Sequence, residues 1–255
     1  MGVPTVGCRC AVCTSADPRD RRLRPSLLVE WQAGGQSRAV VIDTGPDFRE
    51  QALRAGLTRL DAVLYSHGHA DHILGMDDLR PLSYAAAREG RQIPLYASEE
   101  TAETMRRVYD YTFAPDATYP NRARVRLEPL AERVTVHDVE FVRVPLLHGT
   151  MSIAGFRFGR TAYLTDVSTI PEDSFALLEG LDVLIVSALR HKPHPNHATL
   201  DQATHWARRI GARQTWFTHI AHELGHEETN RALPEGMALA HDGLSFAAEL
   251  EAGTP

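Results

Sequence analysis

The chain has 255 residues, of which 43% are hydrophobic and 24% are charged, and its formal net charge is −6. This composition is typical of a globular protein and favours a single large α/β domain over residues 1–255. The acidic balance excludes the overall electrostatic footprint of a nucleic-acid binder. No apolar run approaches the roughly 18 residues that a membrane helix needs, and the opening residues are unlike a secretory signal.

The chain opens with a tight group of cysteines. Cys8, Cys10 and Cys13 are its only cysteines. An odd, bunched set fits a disulfide framework poorly and favours a metal-binding loop, here residues 7–14. Reduced thiols also indicate a reducing compartment, so we expect a cytoplasmic protein. The charged segment 15–25 that follows is predicted to be an exposed loop.

The first half of the chain alternates strand and helix signals. Two β-rich runs, LLVEW and AVVID, are separated by Gly34 and Gly35 and predict a hairpin. Pro46 and Gly56 bound a predicted helix at 47–55. The remaining predictions here are a buried strand at 62–65 and helices at 77–88, with a break or late start at Pro81, and at 99–111.

The second half is richer in strands. The runs VRLEPL, RVTV, VEFVRVPL, SIAGFRF and TAYLT lie within residues 124–165. Strands interleaved with helices predict an α/β fold with mixed sheets. The later predictions are helices at 171–178, 200–210 and 222–232, strands at 182–187 and 214–218, and a final strand pair at 237–239 and 244–247.

The strongest chemical signal is the sequence HGHADH at 67–72, directly after the predicted strand AVLYS. In an extended turn alternate residues project to the same side, so His67 and His69 can share one ion. Asp71 and His72 lie beyond the turn and can reach a second ion. Imidazole and carboxylate ligands suit Zn, Fe or Mn, and affinity alone does not choose among them.

Three later apolar strands each end in a polar residue. His148 follows VRVPLL, Asp166 follows TAYLT and His219 follows TWFT. Functional residues of α/β proteins gather at the carboxyl ends of strands. A hydrolase with two ions about 3.5–4 Å apart needs further ligands, including a bridging one, and these residues are the candidates.

Five segments in this order, VIDTG, SHGHADH, VPLLHG, YLTDV and FTHI, resemble the motifs of the metallo-β-lactamase superfamily. The resemblance covers about residues 26–248 and implies a four-layer αββα sandwich with the site along one edge of the sheets. Asp43, in VIDTG, would lie behind the ligands and orient them. The implied ligands of two catalytic divalent ions, Zn or Mn, are His67, His69 and His148 for the first, Asp71, His72 and His219 for the second, and Asp166 as a bridge.

The opening GVPTVGCRCAVC carries a narrower resemblance, to the phosphoribosyl 1,2-cyclic phosphate phosphodiesterases of the carbon–phosphorus lyase pathway of bacterial phosphonate breakdown and their relatives. In that group a C-x-C-x-x-C clip and a later histidine, here His222, bind a structural zinc as a closed Cys3His site. His197, in NHATLDQA, matches a histidine that meets the substrate phosphate or leaving group. His191 and His194 do not match and are expected on the surface or rim. Relatives usually have an extra strand before GVP, whereas here Met1 stands directly before it, so we expect either a late start or a missing edge strand.

A competing motif, HExxH, spans His222 and His226 and is typical of metallopeptidases when it lies on a helix. The longer H-x-x-G-x-x-H continuation is missing, because EETNRA follows His226. A distant third ligand would have to be Glu249 or Glu251, near the C-terminus. The peptidase interpretation also leaves the HGHADH sequence unexplained, and we reject it.

The expected reaction is hydrolysis of a small phosphodiester by a hydroxide that two ions share, with the ions absorbing the developing charge. His197 is the candidate general acid or phosphate-binding cation. Asp71 and Asp43 complete the set expected to take part in catalysis. The resemblance also suggests a homodimer.

Two alternatives within the superfamily stay open. A tRNA 3′-end processing endonuclease is disfavoured by the acidic charge and the lack of a long basic insertion. Hydrolases of thioesters, lactones or β-lactams share the same ligands. An alternative of a different class is a non-catalytic accessory protein of a cofactor pathway, which the near-complete ligand set and His197 argue against.

Overall fold

A computed structural model describes residues 2–250, which form two compact units. The first unit is Pro25–Asp138, and the second combines residues 2–24 with 139–250. Met1 and Glu251, on which two of the sequence interpretations depend, lie outside the described residues.

The sheet of the first unit has the order β1-β2-β3-β4-β5. Strands β1 and β2 pair as the predicted antiparallel hairpin, and the neighbours from β2 to β5 pair in parallel. Central strand β3 is buried along its whole length, as expected of a parallel strand covered on both faces. The strands of this unit are β1 (Leu27–Ala33), β2 (Gln36–Ile42), β3 (Ala62–Leu64), β4 (Ile93–Ala97), β5 (Val125–Pro129) and β6 (Arg133–Val136).

The helices of the first unit follow their local signals. Gly56 ends the first in the left-handed conformation, and the Ser98 side chain caps another by accepting from the Thr101 N–H. Pro81 lies in the first turn of a helix that a 3₁₀ segment, Met76–Leu79, precedes, as the predicted late start requires. The helices are α1 (Phe48–Ala55), α2 (Ala70–Ile73), α3 (Arg80–Arg88), α4 (Glu99–Val108) and α5 (Asp110–Phe113).

The second unit contains strands in the order β12-β11-β10-β9-β8-β7. Strands β7 to β9 pair antiparallel, whereas β9 to β12 pair in parallel, so four adjacent parallel strands end at one edge of the sheet. These strands are β7 (Val139–His148), β8 (Met151–Phe158), β9 (Thr161–Leu164), β10 (Val183–Ser187), β11 (Gln214–Thr218) and β12 (Met237–Leu239).

Helix α6 (Leu200–Ile210) of the second unit has the predicted bounds. Thr199 and Gln202 form a capping box, in which each side chain accepts a hydrogen bond from the backbone N–H of the other residue. Gly211 ends the helix in the left-handed conformation. The capping box begins the helix at a defined residue, and the loop before it carries His197.

The helix predicted at 171–178 is present as a 3₁₀ helix, Glu172–Leu178. Two other sequence predictions for this unit are wrong. The helix predicted at 222–232 begins four residues later, as α7 (His226–Ala232). Residues 244–247 form no strand, and β12 pairs with β11 instead.

The delayed start of α7 has a local cause. The buried guanidinium of Arg22 donates to the carbonyl oxygens of Ala221 (3.1 Å) and Leu224 (2.7 Å) and pairs with Asp20 (3.0 Å). Carbonyl groups bound to a guanidinium no longer need helical N–H donors, so residues 221–225 stay irregular. Asp20 and Arg22 are 7% and 6% exposed, so the prediction that 15–25 is a wholly exposed loop is also wrong.

Within residues 2–250 no helix combines the length and apolar character of a membrane-crossing segment.

Candidate metal-binding sites

The first unit holds four candidate ligands in one turn after β3. His67 follows that strand, His69 directly precedes α2, and Asp71 and His72 lie in α2. His67 Nε2 and His69 Nδ1 are 3.0 Å apart. Two nitrogens bound to one tetrahedral ion at about 2.05 Å would be about 3.3 Å apart, so this pair is close to a ligand arrangement.

Asp43 orients His67 and His72 through hydrogen bonds. Its carboxylate is fully buried and accepts hydrogen bonds from Ser66 N–H (2.8 Å), Ser66 Oγ (2.7 Å) and His72 Nδ1 (2.8 Å). Since Ser66 gives its hydroxyl proton to Asp43, its oxygen accepts from His67 Nδ1 (3.0 Å). Both histidines therefore carry their proton on Nδ1, which leaves Nε2 as the ring atom able to bind a metal.

The second unit brings its candidates together at the carboxyl ends of β7, β9 and β11. His148 is 5% exposed, and its Nδ1 donates to the carbonyl oxygens of Asp166 (2.7 Å) and Asn196 (2.6 Å). Carbonyl oxygens only accept, so Nε2 of His148 is again the metal-binding atom. His219 Nε2 lies 3.2 Å from Asp166 Oδ1.

His197 lies among these candidates. Its ring stacks on His219 (centroids 4.9 Å apart, 18° between planes) and meets the edge of His148 (4.6 Å). Its Nδ1 is 4.0 Å from Asp166 Oδ2. Burial lowers the pKa of His197 to about 3; Asp166 opposes this shift, and the neighbouring histidines add to it. The imidazole is therefore neutral near pH 7.

The three cysteines and His222 form a third group, inside the second unit. His222 Nδ1 is 3.2, 3.6 and 3.3 Å from the sulfurs of Cys8, Cys10 and Cys13, respectively. The N–H of Cys13, which points at the Cys10 sulfur, lowers the pKa of Cys10 to about 7, whereas burial raises the pKa of Cys13. Three sulfurs and one imidazole nitrogen within 4.8 Å of one another match the donor set of a closed structural zinc site.

The peptidase motif has no such geometry. His222 faces the cysteines, whereas the buried His226 packs its ring against His241, with centroids 5.8 Å apart. Because α7 begins only at His226, the two histidines do not share a helical face. This agrees with the rejection of HExxH.

Sequence reasoning missed the residues that hold these ligands in place. The only sequence feature that could have indicated Ser66 is its position next to His67. Asn196 acts through its backbone carbonyl, and because every residue has one, its residue type could not indicate the contact. Arg22 and Asp20, which pin the segment around His222, were hidden in a charged run.

The donor chemistry of each group fits a metal. Imidazole and carboxylate in the first and second groups suit Zn, Mn or Fe, and thiolate with imidazole suits Zn. Two sheets with helices and buried histidine–aspartate groups at strand ends define a metal-dependent hydrolase of the α/β class.

The chain belongs to the metallo-β-lactamase superfamily, because residues 38–220 match the model of the beta-lactamase superfamily domain. It is similar over 99% of its length to the crystal structure of a diphosphatase from the PhnP family, with 51% sequence identity, a TM-score of 0.91 and 95% of that chain covered. It is also similar in fold to Zn²⁺-bound PqqB from Methylobacterium extorquens (21% identity, TM-score 0.72, covering 97% of this chain and 96% of that one). The predicted superfamily, α/β class and hydrolase activity are confirmed.

One relative of this chain is a longer protein, of which the similar region is about half. The octanoyltransferase of Porphyromonas gingivalis (strain ATCC BAA-308 / W83) is 35% identical over 247 residues, which cover 95% of this chain and 48% of the relative. The chain thus spans about half the length of that relative.

Proposed function

We propose that this protein is a metal-dependent phosphodiesterase that hydrolyses a small phosphodiester, such as phosphoribosyl 1,2-cyclic phosphate. The observation that carries the proposal is the position of His197, whose ring packs against both His148 and His219. A ring N–H donor is thereby held beside two candidate metal ligands, where a phosphate bound to an ion would present its oxygens. The similarity to the PhnP-family diphosphatase over nearly the whole chain supports phosphate chemistry.

We assign two ions, zinc or manganese, to the proposed catalytic centre and treat 1–255 as one functional domain, which the superfamily match over 38–220 supports. When bound, the ions would supply Lewis acidity and lower the pKa of water. The assigned ligands are His67, His69 and His148 for one ion, Asp71, His72 and His219 for the other, and Asp166 as the bridge.

The remaining residues act on the ligands and the substrate. Asp43 keeps His72 in the metal-binding tautomer directly, and it keeps His67 in that tautomer through Ser66. Asn196 and Asp166 do the same for His148 through their carbonyl oxygens. Since His197 is neutral near pH 7, it would bind the phosphate through a ring N–H, rather than as the cation or general acid expected from the sequence.

A second candidate substrate is a small diphosphate. The similar structure with 51% identity is that of a diphosphatase, and a phosphodiester and a diphosphate present the same scissile P–O group to a metal centre. The tRNA endonuclease alternative stays weaker, because the chain carries a net charge of −6.

The test is turnover of bis-p-nitrophenyl phosphate by purified protein with Mn²⁺ or Zn²⁺. We expect His197→Ala to keep its metal content and lose about 10²–10³-fold in kcat, the range typical of losing one hydrogen-bond donor to the developing charge. The matched control is His205→Ala, an exposed histidine on α6. Metal loss in His197→Ala would contradict its assignment, and no wild-type turnover with either metal would favour a non-catalytic accessory protein.

We further propose a cytoplasmic location, because the three thiols lie in a metal-binding arrangement that needs them reduced. The homodimer implied by the resemblance stays a prediction, which sedimentation velocity tests.

A further inference from the structure

The loop between β10 and α6 is closed at its base. We call residues 190–197 the 190–197 loop. The N–H of Leu189 donates to the Ala198 carbonyl (3.0 Å), and the N–H of Leu200 donates to the Arg190 carbonyl (3.0 Å). The Arg190 guanidinium donates to the carbonyls of Lys192 and Pro193, each at 3.1 Å. These bonds hold the loop in one shape in front of the strand ends.

The 190–197 loop is a basic island in an acidic chain. Its sequence, RHKPHPNH, contains arginine, lysine and three histidines and no acidic residue, although the whole chain has a net charge of −6. Arg190 is paired with Glu223 (3.6 Å), so the remaining fixed positive charge of the loop is that of Lys192. Lys192 is the only lysine among the 255 residues. It is exposed, so its ammonium group is accessible to a ligand.

His194 extends the row of histidines that starts at the candidate metal ligands. Its ring lies 4.9 Å from the ring of His197, which itself contacts His148 and His219. The N–H of Asn196 donates to His194 Nδ1 (3.2 Å). This bond makes Nδ1 an acceptor, so the neutral ring carries its proton on Nε2 and offers that N–H as a donor.

The neighbours of His194 restrict its backbone. Pro193 and Pro195 flank it, which limits the φ of each proline and disfavours the helical region for the residue before each. A half-buried imidazole between two prolines loses little freedom on binding, which favours a defined contact over a flexible surface one.

We propose that His194 and Lys192 form a second anion subsite, next to His197, which binds a phosphoryl group of the substrate other than the scissile one. The subsite deepens the proposed phosphodiesterase function and rests on it for the position of the scissile group. A substrate with two phosphoryl groups would place one at the metal ligands and the other between the Nε2–H of His194 and the ammonium group of Lys192.

The first test compares two inhibitors of bis-p-nitrophenyl phosphate hydrolysis under excess Mn²⁺. Methylenediphosphonate has two phosphoryl groups and methylphosphonate has one. We expect His194→Ala to raise the inhibition constant of methylenediphosphonate about tenfold and that of methylphosphonate less than about twofold. His194→Gln keeps an N–H donor and should restore part of the difference.

The control is His191→Ala, an exposed histidine on the same loop, which should leave both constants within about twofold. Metal content and thermal midpoint are measured for every variant. Equal weakening of both inhibitors in His194→Ala, or no weakening of either, would overturn the subsite.

The second test uses the single lysine and needs no turnover. Trinitrobenzenesulfonate modifies Lys192, and peptide mass spectrometry follows its rate. Methylenediphosphonate should slow the modification at least about threefold in the wild type and not in His194→Ala, whereas methylphosphonate should have no effect. An unchanged rate would rule out Lys192 as part of the subsite. If the wild type hydrolyses no phosphodiester yet Lys192 is protected, the proposed function fails and the subsite stands.

Discussion

Three candidate site residues adopt backbone conformations that their residue types rarely use. Asp43, Asp166 and His219 have φ values of +63°, +54° and +52°, in the left-handed region. Each follows the end of a strand, β2, β9 or β11, and each conformation costs about 1–3 kcal/mol for a non-glycine residue. The left-handed conformation turns the chain away from the strand direction. The side chain therefore takes a position that it could not reach if the strand continued in the extended conformation.

We expect Asp43→Asn to weaken metal binding by about 10–100-fold with little loss of folding. An amide cannot accept with both of its polar atoms, so either Ser66 or His72 loses its partner and a metal-binding tautomer is no longer enforced. Competition with a chromogenic chelator measures the affinity. The control is Glu30→Gln on the exposed face of β1, and an affinity of Asp43→Asn within twofold of wild type would contradict the role.

At the scale of elements, the first unit is organised around a buried carboxylate just before β3. Asp61 accepts from the Ala39 N–H (3.0 Å) of β2, from His137 Nε2 (3.0 Å) and from Arg59 Nε (3.3 Å). Burial alone would raise the pKa of Asp61, but these hydrogen bonds outweigh burial and hold the pKa below its usual range. The carboxylate thus ties β2, β3 and the turn after β6 together.

Replacing Asp61 by Asn should destabilise the protein by about 1.5–3 kcal/mol at pH 7, the usual worth of hydrogen bonds to a charged group. Because the folded pKa is lowered, the stabilisation is fully present above the unfolded pKa of about 3.9 and is lost as the pH falls through that value and below it. Urea unfolding at pH 7, 5 and 3.5 checks this. The prediction is contradicted if the difference in free energy of unfolding between wild type and Asp61→Asn grows as the pH falls.

Elements with strong local signals were predicted well, and those that depend on distant partners were not. Helix α6 has its own capping box and glycine stop, and strand β11 is a short apolar run between turns, so both have the predicted bounds. The start of α7 depends on Arg22, some 200 residues away in sequence, which binds the carbonyls of the expected first turn. The 244–247 strand failed because β12 pairs with β11 rather than with the segment after it.

At the scale of the whole molecule, the candidate metal site at the cysteines connects segments that are far apart in sequence. The cysteine group joins the first residues of the chain to His222, so an ion there closes a loop of more than 200 residues. The Asp20–Arg22 pair and its bonds to Leu224 and to His226 N–H connect the same two segments without metal. We therefore expect a metal at the cysteines to stabilise the fold rather than to take part in hydrolysis.

Elemental analysis should find about three metals per chain, two at the proposed catalytic centre and one zinc at the cysteines. Cys8→Ser should lose one zinc and lower the thermal midpoint, because metal binding stabilises only the folded state. Arg9→Ala, at the exposed position between two of the ligands, is the matched control and should lose neither. Retention of all metals by Cys8→Ser would exclude the structural zinc site.

The sequence by itself determined the order of most elements, the candidate ligands in HGHADH and the superfamily, because hydrophobic periodicity, helix caps and ligand spacing are local properties of the chain. Only the tertiary structure decided which ring nitrogen of His148 is left able to bind a metal, because the carbonyls that fix its proton belong to residues 18 and 48 positions away. It likewise decided that His194 lies against His197 and that Arg22 is buried. Tautomer, burial and side-chain stacking depend on contacts between residues that are remote in sequence, and no local pattern encodes them.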